Sequence, residues 1–453
     1  MRQVWYDNDL YWCSLIPSLI CIEGKPLCLP FSFYSYMKKF FILLLLLPQW
    51  LLGASSYRTR AYDDKIQTIQ LFLNDNQLDY PVLDKNSSDY VTVAFDYMSS
   101  NYPHLAYKIE LCNADWSPSS LNEMEYLEGI NEVVFDNPII STNTKFDYAH
   151  FSVRLPNENL TPTLSGNYVI KVYDTDAPDK ILMTGCFSIC DNQLSLDGNV
   201  SGKSVYGVNS IYQHLTFELL FNDKLNPMQE ELKVVVRQNG RHDNELFDLK
   251  PTYIKPSSMI FEDERKLSFE GGREYNVVDF SHRFRYSGRI ERIAYYEPYY
   301  HVEVMPGKYE EGQSHAFEKD VNGHFKVHAQ DVWSEAEIDY SIVHFVYPRE
   351  DPWLDGSVYV IGGFNDNWLE EKNKMVYNFE RHQYELALIL KNGGYNYQYV
   401  FLPAGSKAAS NERTEGSYWE TENSYQIYVY YRPLGSNYDH DQLVGYHEIF
   451  SQR

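Results

Sequence analysis

The chain has 453 residues, 44% of them hydrophobic and 23% charged, enough for two to four globular bodies that each own a core. Its formal charge of −24 argues against nucleic acid as a partner, because neutralising phosphates needs a basic face, and against an anionic lipid surface. Aromatic residues make up 16% of the chain and include 40 tyrosines, a composition that suits half-wet sheet surfaces and suits helices poorly.

A leader is expected over 37–55. Lys38-Lys39, the apolar run Phe40–Leu47 and the small residues near Ala54 have the layout of a signal peptide, over 37–55. Met37 immediately precedes the lysines, so 1–36 reads as a doubtful N-terminal extension ahead of the true start. The apolar run is too short for a membrane span.

A series of short alternating segments follows, each closed by turn residues. Ile66–Leu73, Tyr90–Phe95, Tyr107–Leu111, Phe151–Leu155, Tyr168–Tyr173 and Ile181–Ile189 predict strands of one β-sandwich over 57–192. Asp174–Lys180 reads as a polar turn, and the glycine-bearing stretch Gln193–Gly207 as a linker. A middle β domain is expected over 193–336, with strands at Leu215–Phe221 and Leu232–Gln238 and a turn at Asn239-Gly240. Asp320–Phe325 lacks the ligand spacing of a calcium loop and reads as another turn.

The third domain is expected over 337–453. Tyr384, Leu386, Leu388 and Leu390 alternate with Glu385, Ala387, Ile389 and Lys391, which places the four apolar residues on the core side and Lys391 on the other. Asn392-Gly393-Gly394 predicts a tight hairpin into a return strand carrying Tyr395, Tyr397 and Tyr399, with the Val358/Val360 strand as its neighbour. Ser424–Arg432 is expected to be the last strand, ending near Pro433. The fold class is all-β: three consecutive immunoglobulin-like β-sandwich domains after the signal peptide.

Chemistry is sparse. No GxSxG, HExxH or phosphate loop is present, and histidines such as His104, His150, His282 and His344 stand singly. Sequence-close carboxylates such as Asp351 and Asp355 mean little in so acidic a chain. Cys112, Cys186 and Cys190 follow the leader, an odd number that makes no disulfide framework and offers no metal spacing. The residues therefore point to no enzyme and no cofactor. One local alternative is glycan binding. GGFNDNW and LKNGGYNYQYVF resemble the sandwich modules that accompany starch-acting enzymes, with Trp368, Tyr395 and Trp419 as the aromatic platform.

Seven motifs in order carry a wider resemblance: CNADWSPS (112–119), EYLEGINE (125–132), LPNE (155–158), SGNYVIKVY (165–173), QNGRHDN (238–244), YVIGGFNDNW (359–368) and EGSYWETENSYQIYVYYRP (415–433). From Ile66 to Tyr446 the chain resembles the type IX secretion system plug protein family of Bacteroidetes. That resemblance implies a non-enzymatic periplasmic protein at the inner face of the outer membrane. Its partner would be the large outer-membrane β-barrel translocon, whose periplasmic opening it closes. A periplasmic or surface glycan-binding protein is the alternative.

Overall fold

The structure is a computed structural model that describes residues 56–451, apart from 209, 223, 224, 226, 310–316, 331 and 436–439. The expected extension at 1–36 and signal peptide at 37–55 lie outside the described residues. The described chain from Ser56 onward is one compact unit, all-β, with several mostly antiparallel sheets.

Six principal strands build the first core: β1 (Ile66–Leu73), β2 (Val91–Tyr97), β3 (Leu105–Cys112), β4 (Ala149–Leu155), β5 (Gly166–Asp174) and β6 (Ala177–Cys190). One sheet runs β1-β2-β4 and the other β6-β5-β3, and their facing residues close over Phe95, Phe151, Tyr168 and Phe187. Two faces of aromatic and β-branched residues at sheet spacing must bury against each other, and here they do. The polar turn expected over Asp174–Lys180 is tighter than that, since β6 already pairs at Ala177 with Asp174.

The chain then enters a second core through β7 (Ser195–Ser201), β8 (Tyr212–Leu220), β9 (Leu232–Gln238) and β10 (Ser258–Phe261). The expected linker at 193–207 is therefore largely strand: β7 pairs with β8 along its length. Gly198 sits there because a Cβ would meet the Thr216 carbonyl oxygen at 2.8 Å and the Ile449 side chain at 2.4 Å, so its role is close approach and not flexibility.

The chain next leaves this core to build a third from β11 (Asn276–Asp279), β12 (Ile290–Tyr296), β13 (Tyr299–Val304), β14 (Phe325–Val327), β15 (Tyr340–Pro348), β16 (Gly356–Ile361), β17 (Gln383–Lys391) and β18 (Gly393–Pro403). It returns with β19 (Ser424–Tyr431) and β20 (Gln442–Phe450). β19 pairs with β9 from Leu232↔Tyr431 to Gln238↔Tyr425, and with β20 on its other side. The strand expected to be last thus lies in the middle of a sheet, and the tail after Pro433 supplies its outer neighbour.

The expected division at 336/337 does not follow the sheets. Besides β9 with β19, pairing joins β11 and β14 to β18, and β13 to β15, across that point. The second core draws on residues 200–269 and again on 425–449.

The hairpin expected at Asn392-Gly393-Gly394 is not formed. β17 pairs with β15 and belongs to one sheet, whereas β18 pairs with β11, β14 and β16 in the facing one. The chain crosses between layers at Asn392. Gly393 is extended, and a Cβ on it would meet the Lys326 carbonyl oxygen at 2.2 Å. Its absent side chain lets β14 approach β18. The expected Val358/Val360 neighbour is correct, with Val358 opposite Phe401 and Val360 opposite Tyr399.

Candidate functional site

The side chains that stand out chemically lie where the three cores meet. At the first junction Asp96 of β2 is fully buried. Its Oδ2 receives Lys391 Nζ at 2.6 Å and the Tyr340 hydroxyl at 2.5 Å, and its Oδ1 lies 2.6 Å from His150 Nδ1. Lys391 sits over the Tyr148 ring at 4.2 Å. Burial pushes the Asp96 carboxyl up, but Lys391 and His150 outweigh it and hold the carboxyl below the usual carboxylate range. Strand alternation places Lys391 opposite the core of its own sheet, and that side turns out to be covered by the first core. The sequence reading missed Asp96 and Tyr340 entirely; a lysine at the end of a strand of otherwise apolar neighbours is the one signal it carried.

The second junction centres on Asp441, also fully buried, which accepts from Lys233 Nζ at 2.8 Å, Arg432 Nε at 2.8 Å and the Ala114 amide at 3.0 Å. Arg432 reaches on to Asn113 Oδ1 at 2.6 Å, and the Tyr430 hydroxyl to Asn167 Oδ1 at 3.0 Å. The motifs beginning at Cys112 and ending at Pro433 meet here. The buried Asp441 carboxylate thus has several partners, the condition under which a buried ion is tolerated.

At the third junction the guanidinium of Arg58 lies 4.6 Å from the centre of the Trp368 ring, and His242 stacks on that ring at 4.3 Å with planes 4° apart. Arg58 pairs with Glu370 at 2.7 Å, and Trp368 Nε1 donates to Asp366 Oδ2 at 3.0 Å. Asp366 and Asn367 both hold left-handed backbone, φ 52° and 54°, which turns the loop so that the indole enters this stack.

The three aromatics predicted as a sugar platform are thus held in separate surroundings. Tyr395 is 2% exposed inside the third core, stacked with Phe280 and Phe325. Trp368 is half-buried and engaged by both Arg58 and His242. Trp419 is half-buried against Gly202, where a Cβ would meet the indole at 2.3 Å. Cross-strand and cross-junction packing accounts for Tyr395 and Trp368.

The remaining candidates are structural in their surroundings. Cys112, Cys186 and Cys190 are free thiols, and burial pushes all three up. Among the described residues no group of three or more His, Cys, Asp or Glu could hold a metal ion. His344 and His301 share a 2.8 Å contact on neighbouring strands. No helix among the described residues is long and apolar enough to cross a membrane. Asp320–Phe325 forms the expected turn, with Asn322 at φ 49° and Gly323 at φ 88°.

These junctions join distant motifs, and comparison with known proteins identifies the set. Residues 66–191 match the type 9 secretion system plug protein 1st domain. The chain belongs to the type IX secretion plug protein family. A crystallised hypothetical protein from Parabacteroides merdae shares 34% identity with it, over 88% of this chain and 100% of that one, with a TM-score of 0.84. A serine-rich repeat adhesin from Streptococcus agalactiae aligns at 8% identity and a TM-score of 0.13, which carries no argument. None of the curated proteins matches. In this plug-family chain the quoted motifs contribute much of the contact between cores: QNGRHDN supplies His242, YVIGGFNDNW supplies Trp368, and CNADWSPS supplies Asn113 and Ala114.

Proposed function

We propose that this protein is a non-enzymatic component of the type IX secretion system that binds and plugs the periplasmic opening of the outer-membrane barrel translocon, from the inner face of that membrane. The family match over 66–191 carries the reading. The structure adds a physical reason. Three cores tied by buried ion pairs and a packed aromatic stack make a preformed body, so docking it costs little ordering entropy. The sequence offers no recognisable nucleophile–base or metal motif, so shape and contact are what it brings to such a role. A net charge of −24 keeps such a body off anionic head groups while it sits against a membrane protein.

The test is affinity purification of the tagged protein from detergent extracts of the cell envelope. Co-purification of a large outer-membrane barrel, lost when secretion cargo occupies the channel, is the expected result. Recovery of soluble sugar polymers with no barrel would replace this reading by the glycan-binding one.

A further inference from the structure

The hairpin of β12 and β13 is fastened to the edge of its sheet by a narrow seam. Among the described residues β12 pairs with β13 alone. β13 joins β15 in parallel at His301↔Ile342, Val302↔Val343 and Glu303↔His344. One further backbone bond, from the Gly307 amide to the Val346 carbonyl oxygen at 2.8 Å, prolongs the seam. On its other side β15 pairs with β17 all the way from Tyr340↔Lys391 to Pro348↔Gln383. The hairpin nevertheless matters to two cores. Val302 and Val304 are buried in the third, and Tyr299 at the hairpin tip stacks on Phe146 of the first core at 4.1 Å.

Two half-buried imidazoles bridge this seam, on the side of the sheet facing away from Val302 and Val343. His301 Nδ1 lies 2.8 Å from His344 Nε2, with the ring planes 12° apart. At that distance the two nitrogens share one hydrogen, which one donates and the other accepts through a bare lone pair. An added proton can sit on the far nitrogen of the donor ring and leave the contact whole. A second proton has to take the accepting lone pair, and it breaks the contact.

The carboxylates nearby are already engaged. Glu303 accepts from Arg292 of β12 at 2.6 and 2.7 Å, and Glu385 of β17 accepts from Gln383 at 2.6 Å and Arg381 at 3.3 Å. Tyr296 of β12 turns its ring edge to His301 at 5.3 Å. Burial first, and then His301, hold His344 below the ordinary histidine range, against the pull of Glu303 and Glu385.

We propose that the His301–His344 pair is an acid-sensitive latch that fastens the β12–β13 hairpin to the body of the third core. Its contribution is full above the ordinary histidine value of 6.5 and is lost as pH falls below it. The opened hairpin, with His344 in water, takes up the proton that the closed seam refuses, so opening becomes more frequent in acid. Opening draws Val302 and Val304 out of the core and Tyr299 off Phe146. The latch is independent of any docking to a translocon.

Hydrogen–deuterium exchange on the purified full-length protein tests it, read by mass spectrometry at pH 7.5 and 5.0 and corrected for intrinsic rates. The β9–β19 pairing, which contains no histidine, sets the change that acid alone produces. Peptides covering 299–304 and 340–346 should lose about three- to thirtyfold more protection than that reference, about thirtyfold being the ceiling for one proton taken up between pH 6.5 and 5.0. H344Q should bring the acid response of the seam down to that of the reference. H301Q should remove at least about half of it, and serves if circular dichroism shows H344Q unfolded. An acid response equal in the seam and in the β9–β19 pairing, or one that persists undiminished in the variants, overturns the proposal.

Discussion

Asp96 and Lys391 illustrate what a single residue does here. Removing Lys391 alone would leave a buried carboxylate facing a tyrosine hydroxyl and a histidine. K391M should cost about 3–5 kcal/mol, read by urea denaturation, while D96N/K391M should recover part of that loss because no uncompensated charge remains. Two other buried groups pull stability in opposite directions with pH. Burial raises Glu415 from 4.5 to about 7, so the folded state keeps its proton while the unfolded state gives it up. Its contribution is therefore full below pH 4.5 and falls as pH rises towards 7, by about 3 kcal/mol. His324 is the reverse. Burial lowers it from 6.5 to about 4, so its contribution is full above 6.5 and is lost as pH falls towards 4. The two slopes oppose each other between these limits. E415Q should remove the Glu415 fall, so that the slope of stability against pH between 4.5 and 7 becomes more positive than in the parent protein, measured as urea midpoints at a series of pH values. An unchanged profile would mean that Glu415 is not protonated in the fold. None of these roles was legible in the sequence, because each depends on which residue from a distant segment covers the group.

At the scale of the element, alternation was enough to find most strands and their faces. Tyr384 and Leu390 point into the third core as period two requires, and so do Tyr395, Tyr397 and Tyr399. Pairing was less legible. Asn392-Gly393-Gly394 has the composition of a hairpin turn, yet the chain there steps from one sheet to the other. The two glycines separate the readings. G393A should destabilise by more than about 2 kcal/mol, because a Cβ at 2.2 Å from the Lys326 oxygen forces two strands apart. G394A should cost no more than about 0.5 kcal/mol, its Cβ meeting nothing closer than 3.7 Å. Comparable losses at both would favour a turn that needs both glycines. The same distinction explains Gly198: a glycine in polar surroundings reads as a linker until the strand that crosses it is known.

For the whole molecule the order of the chain is not the order of the cores. The second core is closed by β19 and β20, which arrive after the third is built. A chain truncated after Asn423 would lose Tyr425, Ile427, Val429, Val444 and Ile449 from that core, along with Asp441 from its junction. Limited proteolysis should then cut within 200–270 and spare a fragment spanning 66–191, whose core draws on none of the deleted residues. Uniform resistance along the truncated chain would show that the second core closes without its late strands. The molecule-wide charge of −24 argues against phosphate-rich partners, but it places no contact.

The sequence by itself determined the all-β class, most strand positions and the family, since these rest on local alternation, turn chemistry and the order of motifs along the chain. Only the tertiary structure decided that Tyr395 is core and not platform, that Trp368 is engaged by Arg58 and His242, and that Lys391 and Asp96 close a junction. The reason is that burial, pairing partner and hydrogen-bond satisfaction are properties of pairs of segments hundreds of residues apart. A period-two pattern states which side a residue faces and leaves open what lies on that side.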